Sequence, residues 1–297
     1  MKKKLVSIII NCYNGEKYLR TTLDSVRSQI FKNFEVIFFD NCSTDQSANI
    51  FKSFKDKRFK YFKTSKKISL YKSRNLALKK CKGNFITFLD ADDWWEKNFL
   101  MSRKKFFDSQ KIYGFSFSNC FHYFQKKQNY KKFFKNELPT GYILDDLLKY
   151  YFVKLSTIII KKELIKKYKF NSKYNIIGDY DLIIRMAERY KGMAFQDFLV
   201  NIRIHDNNFT HRNREMFYKE FKNWLHIQSF KKKSFKKNKT ILFERLEYLR
   251  LIHLLLNKKR YNLIFDILRF SLSIHKFKLL LIYFLPNFLI KFKLKYF

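Results

Sequence analysis

Residues 85–93 are Phe-Ile-Thr-Phe-Leu-Asp-Ala-Asp-Asp, and this stretch decides the fold because an apolar run leads directly into three carboxylates. A short, continuous apolar run is typical of a buried strand in a parallel sheet. Ligands bind at the carboxyl ends of strands in open α/β sheets, and a divalent cation relieves the repulsion among Asp90, Asp92 and Asp93. The stretch therefore predicts a cation site at a strand end. The alternative is the first turn of a helix, with Asp93 as its cap.

Alternating strands and helices precede this stretch. Apolar runs predict strands at 5–10, 34–39, 59–62 and 85–89, and apolar spacings of three and four predict helices at 19–30, 46–54 and 70–81. Asn14 is placed to cap the first helix, and Gly83 to end the third. Polar clusters at 11–14 and 40–45 follow the first two strands. An α/β sheet would bring these clusters and residues 90–93 to the same edge.

Strand and helix signals change along the rest of the chain. Short strands are predicted at 113–118, 156–160 and 194–204, and a helix at 179–190. Strand signals fade after residue 213, where basic helices are expected. We therefore predict a domain over residues 1–212, with halves 1–110 and 111–212, and a basic helical region over 213–297.

Four segments in a fixed order resemble the motifs of family 2 glycosyltransferases of the GT-A fold. They are Val-Ser-Ile-Ile-Ile-Asn-Cys-Tyr-Asn-Gly at 6–15, Asp-Asn-Cys-Ser-Thr-Asp at 40–45, Ser-Arg-Asn at 73–75 and Phe-Leu-Asp-Ala-Asp-Asp at 88–93. The resemblance implies a Rossmann-like mixed sheet flanked by helices, with a C-terminal helical extension. It also implies a metal-dependent transferase that takes a sugar from a nucleotide diphosphate donor.

The resemblance also implies a donor-binding set. Its members are Tyr13 against the base, Asp40 and Asn41 at the base or ribose, Arg74 at the pyrophosphate and Asp90 at the ribose or metal. The alternatives are an ordinary loop aromatic for Tyr13, a turn cap for Asp40 and a helix-surface charge for Arg74. Asn41 stands where many members have a second Asp, so the donor nucleotide stays open. Asn11-Cys12 likewise replaces the commoner Pro-Thr.

The remaining implied roles belong to the metal and to the base. Asp92 would bind Mg²⁺ or Mn²⁺, and His205 would complete the metal shell, although a lone histidine is more often structural. Asp179 corresponds to the general base that accepts the proton of the acceptor hydroxyl, and its alternative role is the N-cap of a helix. Gly178 replaces an acid of the family pattern. In-line attack opposite the leaving group would invert the anomeric centre.

Composition indicates the binding partners and the cellular compartment of the chain. Lys and Arg total 63 against 25 acids, which gives a net charge of +38. Binding to nucleic acid, binding to an anionic membrane and AT-rich coding would each account for this charge. Four widely spaced cysteines predict buried free thiols in a reducing cytoplasm. The apolar run at 279–290 is fringed by lysines, which predicts a helix in a membrane interface. The alternative is a helix packed on the catalytic domain.

These observations predict an inverting glycosyltransferase that adds a sugar to a lipid-linked or surface glycan. Its location would be the inner face of the cytoplasmic membrane, with no nucleic-acid partner. One alternative is a nucleotidyltransferase that makes the activated sugar, but residues 11–15 lack a glycine-rich basic phosphate loop. The other alternative is a non-catalytic basic binding protein, in which Asp90, Asp92 and Asp179 would have no role.

Overall fold

The computed structural model describes residues 4–109, 112–228, 230, 232–256, 263–269 and 274–285. The chain divides into two compact units, Met1–His205 and Asp206–Phe297. This division lies seven residues before the predicted domain boundary at 212. Each unit is described by itself below.

A mixed sheet of seven strands forms the centre of the first unit, in the order β10-β6-β9-β4-β1-β2-β3. A smaller sheet has the order β5-β11-β7-β8. The eleven strands of the described residues are β1 Val6–Cys12, β2 Phe34–Asp40, β3 Phe59–Lys63, β4 Phe85–Phe88, β5 Trp94–Trp95, β6 Phe115–Ser118, β7 Phe121–Phe124, β8 Asn129–Lys132, β9 Ile159–Lys161, β10 Gly192–Phe195 and β11 Val200–Ile204. The predicted mixed α/β sheet is confirmed.

Parallel pairing aligns the strand ends that carry the polar clusters. In β1 and β2, Cys12 pairs with Asp40, and in β1 and β4, Ile9 pairs with Phe88. The strands β1, β2 and β4 are almost completely buried, which explains their continuous apolar sequences. The three polar clusters therefore leave the sheet at one edge, as predicted.

The interpretation of the segment 194–204 as one strand was wrong, and so was the helix-cap alternative for Asp93. The segment 194–204 is two strands, β10 and β11, which belong to different sheets. Asp93 caps no helix, because it leads into β5, which pairs antiparallel with β11. The short segment 196–199 lets the chain leave one sheet and enter the other, a change that apolar periodicity does not reveal.

Helices cover the first unit between its strands. They are α1 Glu16–Arg27, α2 Ser47–Ser53, α3 Leu70–Leu78, α4 Phe99–Ser102, α5 Lys104–Asp108, α6 Leu144–Lys149, α7 Lys162–Tyr168 and α8 Gly178–Ala187, with a 3₁₀ turn at Leu155–Thr157. Helix α3 ends before the predicted Gly83. Gly15, not Asn14, is the N-cap of α1, and the Asn14 side chain accepts a hydrogen bond from the Thr44 N–H instead. The 3₁₀ turn replaces the start of the strand predicted at 156–160.

The second unit is helical in its described residues, as predicted. Its helices are α9 Phe209–Arg212, α10 Arg214–Ile227, α11 Lys233–Lys237, α12 Lys239–Leu256, α13 Leu263–Arg269 and α14 Ile274–Phe284. Leu251, Ile267, Leu279 and Ile282 are buried in an apolar cluster that joins α12, α13 and α14. None of the helices in the described ranges has both the length and the apolar character needed to span a bilayer.

Candidate active site

The acidic segment after β4 is fixed by hydrogen bonds from three other elements. Asp93 is buried, and its two carboxylate oxygens accept hydrogen bonds from the Ser156 hydroxyl at 2.7 Å and the Arg203 N–H at 3.0 Å. The Thr22 hydroxyl of α1 lies 2.7 Å from the Asp93 carbonyl oxygen. Burial, with Asp92 and Asp90 adding to it, raises the pKa of Asp93 well above its usual range. Asp93 therefore anchors the segment, and its two acidic neighbours face the solvent.

Asp90 pairs with a buried arginine. The Arg74 guanidinium, on α3, lies 2.7 Å from Asp90 Oδ1 and is only 5% exposed, whereas 45% of the Asp90 side chain is open to solvent. Arg74 is thus not a helix-surface charge, and that alternative is wrong. Burial raises the pKa of Asp90, Arg74 opposes this, and the charges of Asp92 and Asp179 raise it further. Asp92 and Asp179 are therefore each close enough to Asp90 to repel it.

Asp92 and His205 lie side by side at the end of β11. His205 Nε2 is 2.9 Å from Asp92 Oδ2, and the Arg203 side chain donates to the Asp92 carbonyl oxygen at 2.9 Å. Adjacent ligands of an octahedral Mg²⁺ with bonds of 2.0–2.1 Å are separated by about 2.9 Å, so this pair fits two neighbouring metal positions. In the part of the chain that the structure describes, no three His, Cys, Asp or Glu side chains are grouped to hold a metal ion. A bound ion would therefore need oxygen atoms from the substrate or water.

Asp179 lies in the first turn of α8, whose N-cap is Ile177. The N-cap alternative for Asp179 is therefore wrong. Asp179 Oδ1 accepts hydrogen bonds from the Tyr180 N–H at 2.8 Å and the Tyr71 hydroxyl at 3.2 Å. No hydrogen bond joins Oδ2 to any of the described residues. One oxygen of the carboxylate is thus held, and the other remains available to a substrate.

The two polar residues that end β2 bind protein groups. Asp40 is completely buried, and its carboxylate accepts hydrogen bonds from the Ser43 N–H at 2.7 Å and the Tyr61 hydroxyl at 2.6 Å. This geometry matches the turn-cap alternative. The Asn41 amide binds both the N–H and the carbonyl oxygen of Ile68, at 3.0 and 2.8 Å. Asp40 and Asn41 therefore shape the loops at this edge of the sheet.

Tyr13 stands at the surface of the same edge, with 45% of the residue exposed. The Lys67 ammonium lies 3.7 Å from the centre of its ring, which is within cation–π range. The Asn41–Ile68 hydrogen bonds hold the loop that carries Lys67. Tyr13 thus presents an accessible aromatic ring with a positive charge against it.

Sequence reasoning missed Tyr71, Ser156 and Arg203, the side chains that position the acids. Ser156 and Arg203 lie 63 and 110 residues from Asp93 along the chain. The sequence signal related to this group is the glycine at position 178, which departs from the family pattern. The structure places Gly178 against the Tyr71 ring. A β-carbon at Gly178 would lie 2.6 Å from the Tyr71 ring.

Comparisons with known proteins agree with this fold. The sequence model of a family described as Glycosyl transferase family 2 matches residues 7–185. The uncharacterized glycosyltransferase MJ1057 of Methanocaldococcus jannaschii is 31% identical over 73% of this chain and 78% of that protein. The UDP-Glc:alpha-D-GlcNAc-diphosphoundecaprenol beta-1,3-glucosyltransferase WfaP of Escherichia coli is 34% identical over 56% of this chain, but only 64% of that protein's length is matched.

Two solved structures share the fold at low identity. Staphylococcus aureus TarS 1-349 in complex with UDP-GlcNAc has a TM-score of 0.60 and 21% identity, covering 82% of this chain and 71% of that one. The mannosyltransferase PcManGT of Pyrobaculum calidifontis, in complex with GDP-Man and Mn²⁺, has a TM-score of 0.60 and 15% identity, with the same coverages. These similarities show the fold alone, and the fold is GT-A, as predicted.

Proposed function

Because the chain belongs to glycosyl transferase family 2, we propose that it transfers a sugar from a nucleotide diphosphate-sugar to a hydroxyl of a surface glycan, with inversion. The observation that carries this proposal is the grouping of Asp92 and Asp179 around the Asp90–Arg74 pair at the carboxyl edge of the sheet. This edge is where open α/β folds bind their ligands.

Asp92 and His205 are the residues that would hold a divalent cation, Mg²⁺ or Mn²⁺. Such an ion would neutralise the charge that develops on the departing nucleoside diphosphate. Arg74 would face the same phosphates, because a guanidinium matches their geometry and Asp90 fixes its direction. Asp90 would in turn be free to contact the ribose through its open side.

Asp179 is the proposed general base. Its Oδ2 would accept the proton of the acceptor hydroxyl while the acceptor oxygen forms a bond to the anomeric carbon. The bond from that carbon to the diphosphate oxygen breaks at the same time, on the opposite face, so the configuration inverts.

The donor nucleotide would lie against Tyr13, whose exposed ring offers a stacking surface. We propose that Asp40 and Asn41 contribute to donor binding by holding the walls of this surface, since their polar atoms are bound to Ser43, Tyr61 and Ile68. The nucleotide base is therefore not assigned.

A lipid-linked acceptor is the substrate class that fits best. The printed name of the E. coli relative includes a diphosphoundecaprenol acceptor, and a B. subtilis relative is named for teichuronic acid biosynthesis. The C-terminal unit supports a peripheral site at the inner face of the membrane, because α14 exposes Phe277, Leu281 and Phe284 beside lysines. The rest of the predicted interface segment, residues 286–290, lies outside the described residues.

A donor screen tests the proposed function. Nucleotide sugars are incubated with the chain, Mn²⁺ and a lipid-linked acceptor, and nucleoside diphosphate release and the anomeric configuration of the product are measured. Chelation of the metal should abolish release, and Asp92→Asn and Asp179→Asn should each lower kcat by about 10²- to 10⁴-fold. The surface variant Asp24→Asn is the matched control, since the one ion pair of Asp24 among the described residues is with Arg27 on α1.

Two results would contradict the proposal. One is the absence of turnover with every donor in the presence of Mg²⁺ or Mn²⁺. The other is the formation of a nucleotide sugar from a nucleoside triphosphate and a sugar phosphate, which would make the chain a nucleotidyltransferase.

A further inference from the structure

Tyr71 is buried directly beneath the proposed base. Its hydroxyl oxygen lies 2.7 Å from the Ile176 carbonyl oxygen and 3.2 Å from Asp179 Oδ1. Its ring stacks on Phe170 at a centroid distance of 5.3 Å. Tyr71 belongs to α3, so it connects the helix that carries Arg74 to the start of the helix that carries Asp179.

Gly178 makes this contact possible. An added β-carbon there would lie 2.6–2.7 Å from three atoms of the Tyr71 ring, well inside van der Waals distance. The ring therefore packs against the bare backbone of the first turn of α8. Any other residue at position 178 would push Tyr71 away from Asp179.

The hydroxyl of Tyr71 has one proton and two acceptors within reach. When Asp179 is ionised, the proton is attracted to Oδ1, and the hydroxyl holds the carboxylate in place. After Asp179 takes a proton from the acceptor on Oδ2, Oδ1 is still a carbonyl oxygen, so it can continue to accept the hydrogen bond of the Tyr71 hydroxyl. No proton leaves Tyr71 in either state.

From this geometry we propose that Tyr71 is a positioning residue, which holds Asp179 in one orientation through both of its protonation states. The inference rests on the proposed role of Asp179 as the base. Holding Oδ1 leaves Oδ2 directed at the substrate, so the catalytic carboxylate does not need to reorient during turnover.

The charged and titratable groups around Asp179 come from three further places. Arg74 is on α3, Asp90 follows β4, and Tyr151 follows α6. Burial raises the pKa of Tyr71 well above its usual range, and the Asp179 charge raises it further. Tyr71 therefore stays a neutral donor at every pH at which the enzyme would work.

The test is Tyr71→Phe, with Tyr151→Phe as the matched control. Tyr151 is close enough to feel the Asp179 charge, but its buried hydroxyl has no hydrogen-bond partner among the described residues. We expect Tyr71→Phe to lower kcat by about tenfold with the donor KM nearly unchanged. The hydrogen bond orients the base and does not contact the donor, so its loss should appear in kcat and not in KM. Tyr151→Phe should change neither quantity appreciably.

Thermal unfolding shows whether each variant folds, and the Asp179→Asn variant shows whether Asp179 is the base. A folded Tyr71→Phe variant with wild-type kcat, beside an inactive Asp179→Asn, would overturn the role of Tyr71 alone. Full activity of Asp179→Asn would overturn the proposed base and the role of Tyr71 with it. If Tyr71→Phe does not fold, Gly178→Ala displaces the ring instead, and the same loss of kcat is expected.

Discussion

At the scale of single residues, the site depends on directing neighbouring carboxylates to different environments. Asp90, Asp92 and Asp93 lie within four positions, and ionised together they would repel strongly. Asp93 points into the protein, where Ser156 and the Arg203 N–H bind it. Asp90 and Asp92 point outward to Arg74 and His205. This separation lets one segment both anchor the chain and present ligands to a substrate.

Glu35 provides a prediction about stability that is independent of the active site. Its carboxylate, 5% exposed, accepts hydrogen bonds from the Ser7 hydroxyl at 2.7 Å and the Lys82 N–H at 2.6 Å, and its other oxygen lies 2.5 Å from the Lys60 ammonium. Burial alone would raise the pKa of Glu35, but these donors outweigh it and hold the pKa below its usual value. We expect Glu35→Gln to reduce the free energy of unfolding by about 1–3 kcal/mol at pH 7.5.

The sign of the pH effect follows from the lowered pKa. The stabilisation is present above the unfolded pKa of about 4.3 and is lost as the pH falls through the folded value. Denaturant unfolding at pH 7.5 and pH 4 should show the difference between wild type and variant shrinking at the lower pH. Glu215→Gln, in an exposed ion pair with Lys219, is the control. A difference that stays constant with pH would contradict this account.

At the scale of elements, α14 has two different apolar faces. Leu279 and Ile282 are buried against α12 and α13, whereas Phe277 and Phe284 are 64% and 73% exposed. Leu281 joins Phe277 and Phe284 at spacings of four and three, so the exposed residues share one helical stripe. The helix therefore keeps an apolar surface beyond the one that its own unit needs, as interfacial helices do.

We predict that replacing Phe277, Leu281 and Phe284 together by Ser reduces binding to vesicles that contain anionic lipid by about tenfold or more. Flotation with anionic and with neutral vesicles measures this, and the wild-type chain should prefer the anionic ones. This variant is a sharper test than removal of residues 277–297, because that truncation would also delete buried Leu279 and Ile282. Equal flotation of both chains would exclude a role for this stripe.

Tyr142→Ser with Tyr150→Ser is the matched control for that experiment. These two aromatic residues are 70% and 64% exposed, but they belong to the first unit. Their replacement removes a similar amount of exposed aromatic surface. Flotation should therefore be unchanged if the surface on α14 is responsible.

At the scale of the whole molecule, both units are positively charged, and the charge is denser along the C-terminal region. The acids of the proposed site lie in a chain of net charge +38, and residues 221–297 hold 18 Lys and Arg against three acids. We expect the basic C-terminal region to act on anionic surfaces and the acidic cluster to act on a cation and a sugar.

A fragment tests whether the first unit is autonomous. We predict that residues 1–212, which retain His205, unfold cooperatively and that a nucleoside diphosphate with Mn²⁺ raises the Tm by a few degrees. The physical reason is that the mixed sheet has its own buried core and the size of an ordinary domain. Differential scanning fluorimetry measures the shift, and the same fragment with Asp92→Asn should lose its dependence on Mn²⁺. A fragment without a cooperative transition would contradict the predicted domain.

The strands around the site could be predicted because their signals are local. Continuous apolar runs at β1, β2 and β4 predict burial on both faces, and polar residues directly after them predict a ligand edge. The boundary between β10 and β11 was missed, since two short apolar strands with a brief connection have the same pattern as one longer strand. Asp93 was misjudged for a related reason, because an acid before two tryptophans suits either a helix cap or a strand.

The sequence by itself determined the α/β class, the edge that carries the acids and the family, since each depends on neighbouring residues or on motifs in order. Only the tertiary structure decided the environment of each polar group: that Arg74 is buried against Asp90, that Asp40 and Asn41 bind protein atoms, and that Tyr71 supports Asp179. The Tyr71–Asp179 contact joins residues 108 positions apart. Such contacts are set by the packing of whole helices and by a missing β-carbon at Gly178, and neither has a local periodic signal.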